Sequence, residues 1–194
     1  MNKQLMAMAF AAAAVIAAPA HANSVALTAG AGWVGFDVDS MIAADFGNGW
    51  IDNTDGSAKS FTFTIAAGQV GTLTVLDAGY AGDTFSVTNF ASALGATSSV
   101  PVGTYDGSAP LGFDDAFANA SFSRGVFQLQ AGSYSIGGSL LQSVQFDGFD
   151  LDATTGAVRL TTSAIPEPSS TALMFGGLAA VALLVRRRKS ANKI

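Results

Sequence analysis

The sequence predicts an all-β domain, an antiparallel β-sandwich of jelly-roll type, followed by one C-terminal transmembrane helix. Short segments alternate apolar and polar residues with a period of two, which is the pattern of half-buried strands. Turn-forming Gly, Asp and Ser separate these segments. An uncharged run from Thr171 to Val185 stands directly before four basic residues near the C-terminus.

Seven segments in the middle of the chain have the strand pattern. The clearest is SFTFTIA, in which Phe61, Phe63 and Ile65 alternate with polar residues. The others, between residues 71 and 160, are GTLTVLD, TFSVTNF, GVFQLQ, SYSI, SVQF and AVRL. The apolar parity reverses at Gly148, which predicts a bulge or a tight turn there. One helix-like piece, FDDAFANASF, begins at Phe113. Many short strands of this kind are typical of a sandwich or a jelly roll.

Residues 1–22 have the three-part pattern of a secretory signal peptide. A basic residue precedes an apolar stretch, and small residues follow at Ala20 and Ala22. Signal peptidase needs small residues at these two positions. We therefore expect cleavage after Ala22, which makes Asn23 the first residue of the mature protein.

The middle of the chain is strongly acidic. Residues 23–165 contain 13 Asp and no Glu, against Lys59, Arg124 and Arg159. Such a surface repels phosphate backbones, so nucleic acid is excluded as a partner. The chain has no Cys, so its stability must come from a hydrophobic core, and a domain of this length can bury one.

The tail, residues 165–190, has three parts in a fixed order. The Pro-Glu-Pro tripeptide comes first, an apolar helix over 169–185 is predicted next, and a basic cluster closes the tail. The positive-inside rule places that cluster in the cytoplasm, so the rest of the chain lies outside, in agreement with the signal peptide. The tripeptide is Pro166, Glu167 and Pro168, and the cluster is Arg186, Arg187, Arg188 and Lys189.

This tail resembles the PEP-CTERM sorting signal of exported bacterial proteins, although Ile165 stands where Val is common. The resemblance implies processing by exosortase, a membrane-embedded cysteine transpeptidase, and association with exopolysaccharide. It also implies a route from the inner membrane, with the ectodomain outside the cytoplasm, to the cell surface or the extracellular matrix.

The predicted ectodomain is residues 23–164. Within it, residues 61–136 are similar to a β-sandwich ectodomain that recurs among PEP-CTERM proteins and carries no established activity. The matching residues are Leu73-Thr74-Val75 before Asp77, Gly82-Asp83 before Phe85 and Val87, Leu94-Gly95 before Thr97-Ser98, and FSRGVFQLQAGSYSI. Tyr134 stands where His is common.

No catalytic residue is predicted. His21, the only histidine of the chain, leaves with the signal peptide. The mature chain therefore lacks a Ser/His/Asp or Cys/His arrangement, and any general base would be an aspartate. An Asp-based hydrolase using Asp114 and Asp115, or Asp150 and Asp152, is the alternative from the enzyme class.

No cofactor is predicted, but two oxygen-rich loops leave Ca²⁺ open. The first loop is DFGNGWIDNTDG, with Asp45, Asn48, Asp52, Asn53 and Asp55, and the second is DGFDLDATTG, with Asp147, Asp150 and Asp152. Neither has EF-hand spacing, and Asx-rich turns form without a metal. We therefore predict no metal ligands.

Two tryptophans are candidates for carbohydrate contact. Val34, Phe36 and Val38 share one strand face, which puts Trp33 on the opposite face. An exposed Trp33 or Trp50 could stack on sugar rings, and the alternative is a Trp covered by a loop or buried between sheets. The sequence thus predicts a non-enzymatic surface or matrix protein, with a permanently tail-anchored periplasmic binding domain as a further alternative.

Overall fold

The computed structural model describes residues 23–165 and 173–182, and the first range folds into two large β-sheets and a small one. The elements are β1 (Asn23–Ala26), β2 (Val34–Asp39), β3 (Lys59–Ile65), β4 (Gln69–Asp77), β5 (Thr84–Asn89), β6 (Ser92–Ala96), α1 (Phe113–Ala118), β7 (Arg124–Leu129), β8 (Gly132–Gln142), β9 (Gln145–Phe146), β10 (Phe149–Asp150) and β11 (Ala153–Ala164). The predicted all-β class is confirmed.

Eight strands pair in a nested, antiparallel order. Strand β2 pairs with β11, β3 with β8, β4 with β7, and β5 with β6. The large sheets have the orders β1-β3-β8-β5-β6 and β2-β11-β4-β7. The first strand of the set, β2, pairs with the last, β11, and the two innermost strands, β5 and β6, pair with each other. This nested pairing is typical of a jelly roll.

One strand pair departs from the antiparallel prediction. Strand β1 runs parallel to β3, with Asn23 opposite Lys59. After β1 the chain crosses to the other sheet as β2 and then returns as β3, so β1 and β3 point the same way, as parallel neighbours joined by a crossover do.

The alternating apolar residues of both sheets form one core. Phe61 and Phe63 of β3, Val75 of β4 and Val158 of β11 are all buried in the same cluster. Because β3 belongs to one sheet and β4 and β11 to the other, the sheets pack face to face. Leu76 points to the opposite face of β4, where it packs with α1 in a second, smaller cluster.

A two-residue turn explains the parity change near Gly148. Strands β9 and β10 form a hairpin in which Phe146 lies opposite Phe149. Asp147 and Gly148 both have positive φ, at 50° and 82°, as a type I′ turn requires. The predicted tight turn is therefore present.

Residues 173–182 form a helix inside the predicted membrane segment 169–185. Within the described parts of the chain, no helix is both long enough and apolar enough to span a bilayer, so the transmembrane helix stays a prediction. Several other predicted features lie outside the described residues: the signal-peptide positions Ala20 and Ala22, the motif Pro166, Glu167 and Pro168, and the basic cluster Arg186, Arg187, Arg188 and Lys189.

Candidate functional site

Trp50, a predicted sugar contact, is a core residue. Its exposed fraction is 2%, and its ring stacks on Phe36 with 4.0 Å between centroids. The segment that carries it runs antiparallel beside β8, where Gly49 lies opposite Ser139 and the Trp50 amide donates to the Gly138 carbonyl. The predicted sugar contact at Trp50 is therefore wrong, because a ring sealed between the sheets offers no face to a ligand.

Trp33 lies on the predicted outer face, but protein groups hold it there. Its indole Nε1 donates a 2.8 Å hydrogen bond to Asp114 of α1. The Arg159 guanidinium lies 4.1 Å from the ring centroid, and the Phe117 ring is 5.5 Å away. These contacts match the alternative of a Trp covered by a neighbouring segment, so Trp33 is not a free stacking platform.

The first predicted calcium loop is a series of Asx turns. The side chains of Asp45, Asp52 and Asp55 each accept a hydrogen bond from the backbone amide two residues later. Hydrogen bonds from Thr54 hold the pKa of Asp52 below its usual value, and those from Ser57 do the same for Asp55. These carboxylates are satisfied by the chain itself.

Two of the remaining predicted acidic residues, Asp114 and Asp152, also have protein partners. Asp114 contacts Arg159 as well as Trp33, and Asp152 accepts a hydrogen bond from Asn48. Neither predicted catalytic pair lines the two clefts described below. Across residues 23–165 and 173–182, no three acidic or histidine side chains lie close enough together to share one metal ion.

One of the concave sites is an aromatic cleft that the sequence prediction missed. It encloses about 250 Å³ between Tyr80, Tyr105 and the buried Phe122 and Val144. The rings of Tyr80 and Tyr105 meet edge to face at 4.7 Å. Phe146, half exposed on the β9–β10 hairpin, continues this aromatic row with its centroid 5.9 Å from Tyr105.

Three loops bring these aromatic residues together. Tyr80 lies in the connection between β4 and β5, and Tyr105 lies in the long segment between β6 and α1. The backbone amide of Tyr105 donates to the Gln145 carbonyl, and the Gln145 amide donates to the Gly103 carbonyl. The long segment is thereby fixed to the hairpin that carries Phe146.

Polar groups border the aromatic rings. Asp106 lies on the cleft and accepts a hydrogen bond from the Ser108 amide, and hydrogen bonds from Ser108 hold its pKa below the usual value. Tyr80 also borders a second cleft of about 160 Å³, whose lining includes Asp37, Asp39 and Asn53. Flat rings beside ionised carboxylates and amides suit a ligand with apolar faces and hydroxyl edges.

Two aspartates are fully buried beneath the Tyr80 loop. Asp77 ends β4, Asp83 precedes β5, and both have exposed fractions of 0%. Burial, followed by the proximity of Asp83, raises the pKa of Asp77 to about 9. Burial also raises the pKa of Asp83 to about 6. The sequence placed both residues in a turn, where carboxylates are normally solvated.

Comparison with known proteins identifies the tail. The chain carries a C-terminal sorting segment of the kind found in exported proteins. That segment, residues 164–189, matches the PEP-CTERM protein-sorting motif, which confirms the predicted resemblance and implies export, membrane-linked sorting and processing by exosortase.

The ectodomain has no informative relative. No curated protein sequence matches the chain. Among solved structures, the chain is similar to the pre-peptidase C-terminal domain of collagenase from Bacillus anthracis, at 11% identity and a TM-score of 0.38, over 75% of this chain and 99% of that one. A TM-score this low carries no argument about a shared fold or function.

Proposed function

We propose that this is an exported, exosortase-processed surface or matrix protein without catalytic activity, whose sandwich binds polysaccharide at the aromatic cleft. The observation that carries the proposal is the sorting motif, which begins at the last residue of β11. A folded domain attached to such a motif is cargo for the cell surface.

The aromatic cleft supports polysaccharide as the ligand. Tyr80, Tyr105 and Phe146 offer ring faces and edges in a row, with Asp106 beside them as a hydrogen-bond acceptor. Sugar rings present C–H faces to aromatic rings and hydroxyls to carboxylates. The acidic domain favours neutral or cationic sugars over strongly anionic ones, because like charges repel.

A non-catalytic role fits the side chains available. No His or Cys occurs after residue 22, and the predicted pairs at Asp114 and Asp150 lie away from the aromatic cleft. We also propose that the apolar segment 169–185, helical over 173–182, holds the chain in the inner membrane until exosortase acts on it.

The binding proposal is tested with exopolysaccharide purified from the source cells. We expect the exported protein to bind it in calorimetry, and Tyr105→Ala to weaken binding about tenfold, or about 1.4 kcal/mol. Tyr134→Ala is the matched control, because that ring stacks on Phe63 away from the cleft. Equal losses in both variants, or no binding by the unaltered protein, would contradict the proposal.

A further inference from the structure

The buried aspartates beneath the aromatic cleft each have one oxygen without a partner. Asp77 Oδ1 accepts a hydrogen bond from the Gly79 amide at 3.3 Å, and Asp83 Oδ1 accepts one from the Val144 amide at 2.6 Å. The Oδ2 atom of each carboxyl group is buried and makes no hydrogen bond. Buried polar atoms are normally satisfied, so these two neighbouring oxygens are each able to accept a further partner.

A third oxygen lies at the same place. Thr154, the second residue of β11, is 7% exposed, and its Oγ1 also makes no hydrogen bond. The hydroxyl lies near enough to Asp83 to lower the pKa of that carboxyl as a hydrogen-bond donor does, although its position does not meet the geometry of a hydrogen bond. It also faces the loop after Asp77, since a Cβ on Gly79 would lie 2.1 Å from the Thr154 hydroxyl.

No basic side chain of residues 23–165 is available to neutralise this pair. Lys59 is paired with Asp52, and Arg159 with Asp114. Arg124 donates to the carbonyls of Phe117 and Asn119. These are the only three basic residues in that range. Buried carboxylates without a counter-charge are costly, so the pair must be neutralised by protons or by a bound cation.

The set of oxygens favours a cation. Two buried carboxylate oxygens and one buried hydroxyl, from three neighbouring segments of the chain, lack a hydrogen-bond partner. Ca²⁺ takes six to eight oxygen ligands in a flexible geometry, including carboxylates, carbonyls and water, whereas Mg²⁺ demands a stricter octahedron. Two carboxylates also match the charge of a divalent ion.

We propose that Asp77 Oδ2, Asp83 Oδ2 and Thr154 Oγ1 form a site for a divalent cation, with Ca²⁺ as the preferred ion. This site is distinct from the Asx-rich loops. A cation here ties the end of β4 to the start of β5 and so fixes the intervening loop that carries Tyr80. The site does not depend on which ligand the aromatic cleft binds.

The test is a titration of the chelator-treated, exported protein with Ca²⁺. We expect one ion per chain in calorimetry, with a dissociation constant in the range of extracellular modules, about 0.1–1 mM. At about 100 times that constant, linkage predicts a rise in Tm of roughly 5–10 °C. Asp77→Asn and Asp83→Asn should each abolish the response, and Thr154→Val should weaken binding roughly tenfold or more.

Asp55→Asn is the matched control, because it removes an exposed carboxylate from an Asx turn and should leave the Ca²⁺ response unchanged. The proposal is overturned if the unaltered protein has the same Tm in chelator and in about 10 mM Ca²⁺ and shows no heat of binding. Protons would then neutralise the two aspartates. A Ca²⁺ response that persists in Asp77→Asn and Asp83→Asn also overturns it, because the ion then binds elsewhere. The unaltered protein decides the question even if a variant does not fold.

Discussion

The Trp50 indole lies parallel to the Phe36 ring, with 4.0 Å between centroids and 16° between planes. Phe36 belongs to β2, whereas Trp50 comes from the segment that runs antiparallel beside β8. The stacked pair therefore fills the space between the two sheets. It joins a loop residue to the centre of the core.

We expect Trp50→Ala to lower the free energy of unfolding by about 3–5 kcal/mol, because it leaves a large cavity in a packed core. Urea denaturation measures this loss. Trp33→Ala is the comparison, and its cost should be smaller because that ring is half buried. Equal losses in the two variants would contradict the assignment of Trp50 to the core.

Gly138 provides the space that Trp50 occupies. A Cβ on Gly138 would lie 2.6 Å from the indole and 2.2 Å from the Ser86 carbonyl oxygen. We expect Gly138→Ala to cost about 1–3 kcal/mol through overpacking. The adjacent Gly137→Ala is a matched control, since its nearest neighbour would be Thr88 at an ordinary 3.6 Å. If Gly137→Ala proves the more destabilising of the two, this account of the close contact fails.

The buried aspartates predict an unusual pH dependence in chelator. Burial raises the pKa of Asp77 to about 9 and that of Asp83 to about 6, both from 3.8. In this range the folded state binds more protons than the unfolded state, so stability falls as pH rises. We expect Tm in chelator to increase as pH is lowered from about 9 towards 4.

Asp52 and Asp55 act in the opposite direction, since their lowered pKa values favour the folded state at high pH. Their contribution to stability is lost only below about pH 4. The pH range of this loss therefore differs from the range in which Asp77 and Asp83 titrate. Asp77→Asn should flatten the profile between about pH 6 and 9 and leave the dependence below pH 6 that Asp83 causes. A profile of the unaltered protein that rises with pH across that window contradicts the prediction.

The sorting motif should matter for processing and hardly at all for folding. Glu167 lies after Ala164, the last residue of β11, so Glu167→Ala should change stability by less than about 0.5 kcal/mol, as surface substitutions do. The same variant should accumulate as full-length protein in the inner membrane. The intact mass of the surface protein checks this, and normal tail removal in the variant would show that processing does not depend on Glu167.

The basic cluster offers a separate test of topology. Replacing Arg186, Arg187 and Arg188 with Ser should weaken the preference for a cytoplasmic C-terminus. Protease protection of the tail in membrane vesicles reports the orientation. An orientation identical to that of the unaltered protein would assign the topology to the signal peptide alone.

Most strands were predictable because apolar core-facing residues alternate with polar residues along them. In β3, Phe61, Phe63 and Ile65 point into the core and the residues between them point out, so a period of two is visible without the structure. Strands β1 and β6 escaped prediction because each places only one partly buried side chain, Val25 or Leu94, against the core.

The candidate sites were less predictable because they depend on distant contacts. Nothing local distinguishes Trp50 from an exposed Trp, since its burial depends on Gly138 about ninety positions later. Asp77 and Asp83 flank a Gly-rich stretch that looks like a solvated turn. Only the packing of Thr154 and Val144 over that stretch removes it from water.

The position of β11 determines how the domain responds to force. Nine of its residues, Gly156–Ala164, pair with β4, and six, Ala153–Val158, pair with β2. A pull on the C-terminal end acts along this strand, across hydrogen bonds that lie perpendicular to it. Many of these bonds must then break together in shear rather than one after another. The sandwich is therefore attached to its tail through a strand that is held on both sides and resists a pull in shear.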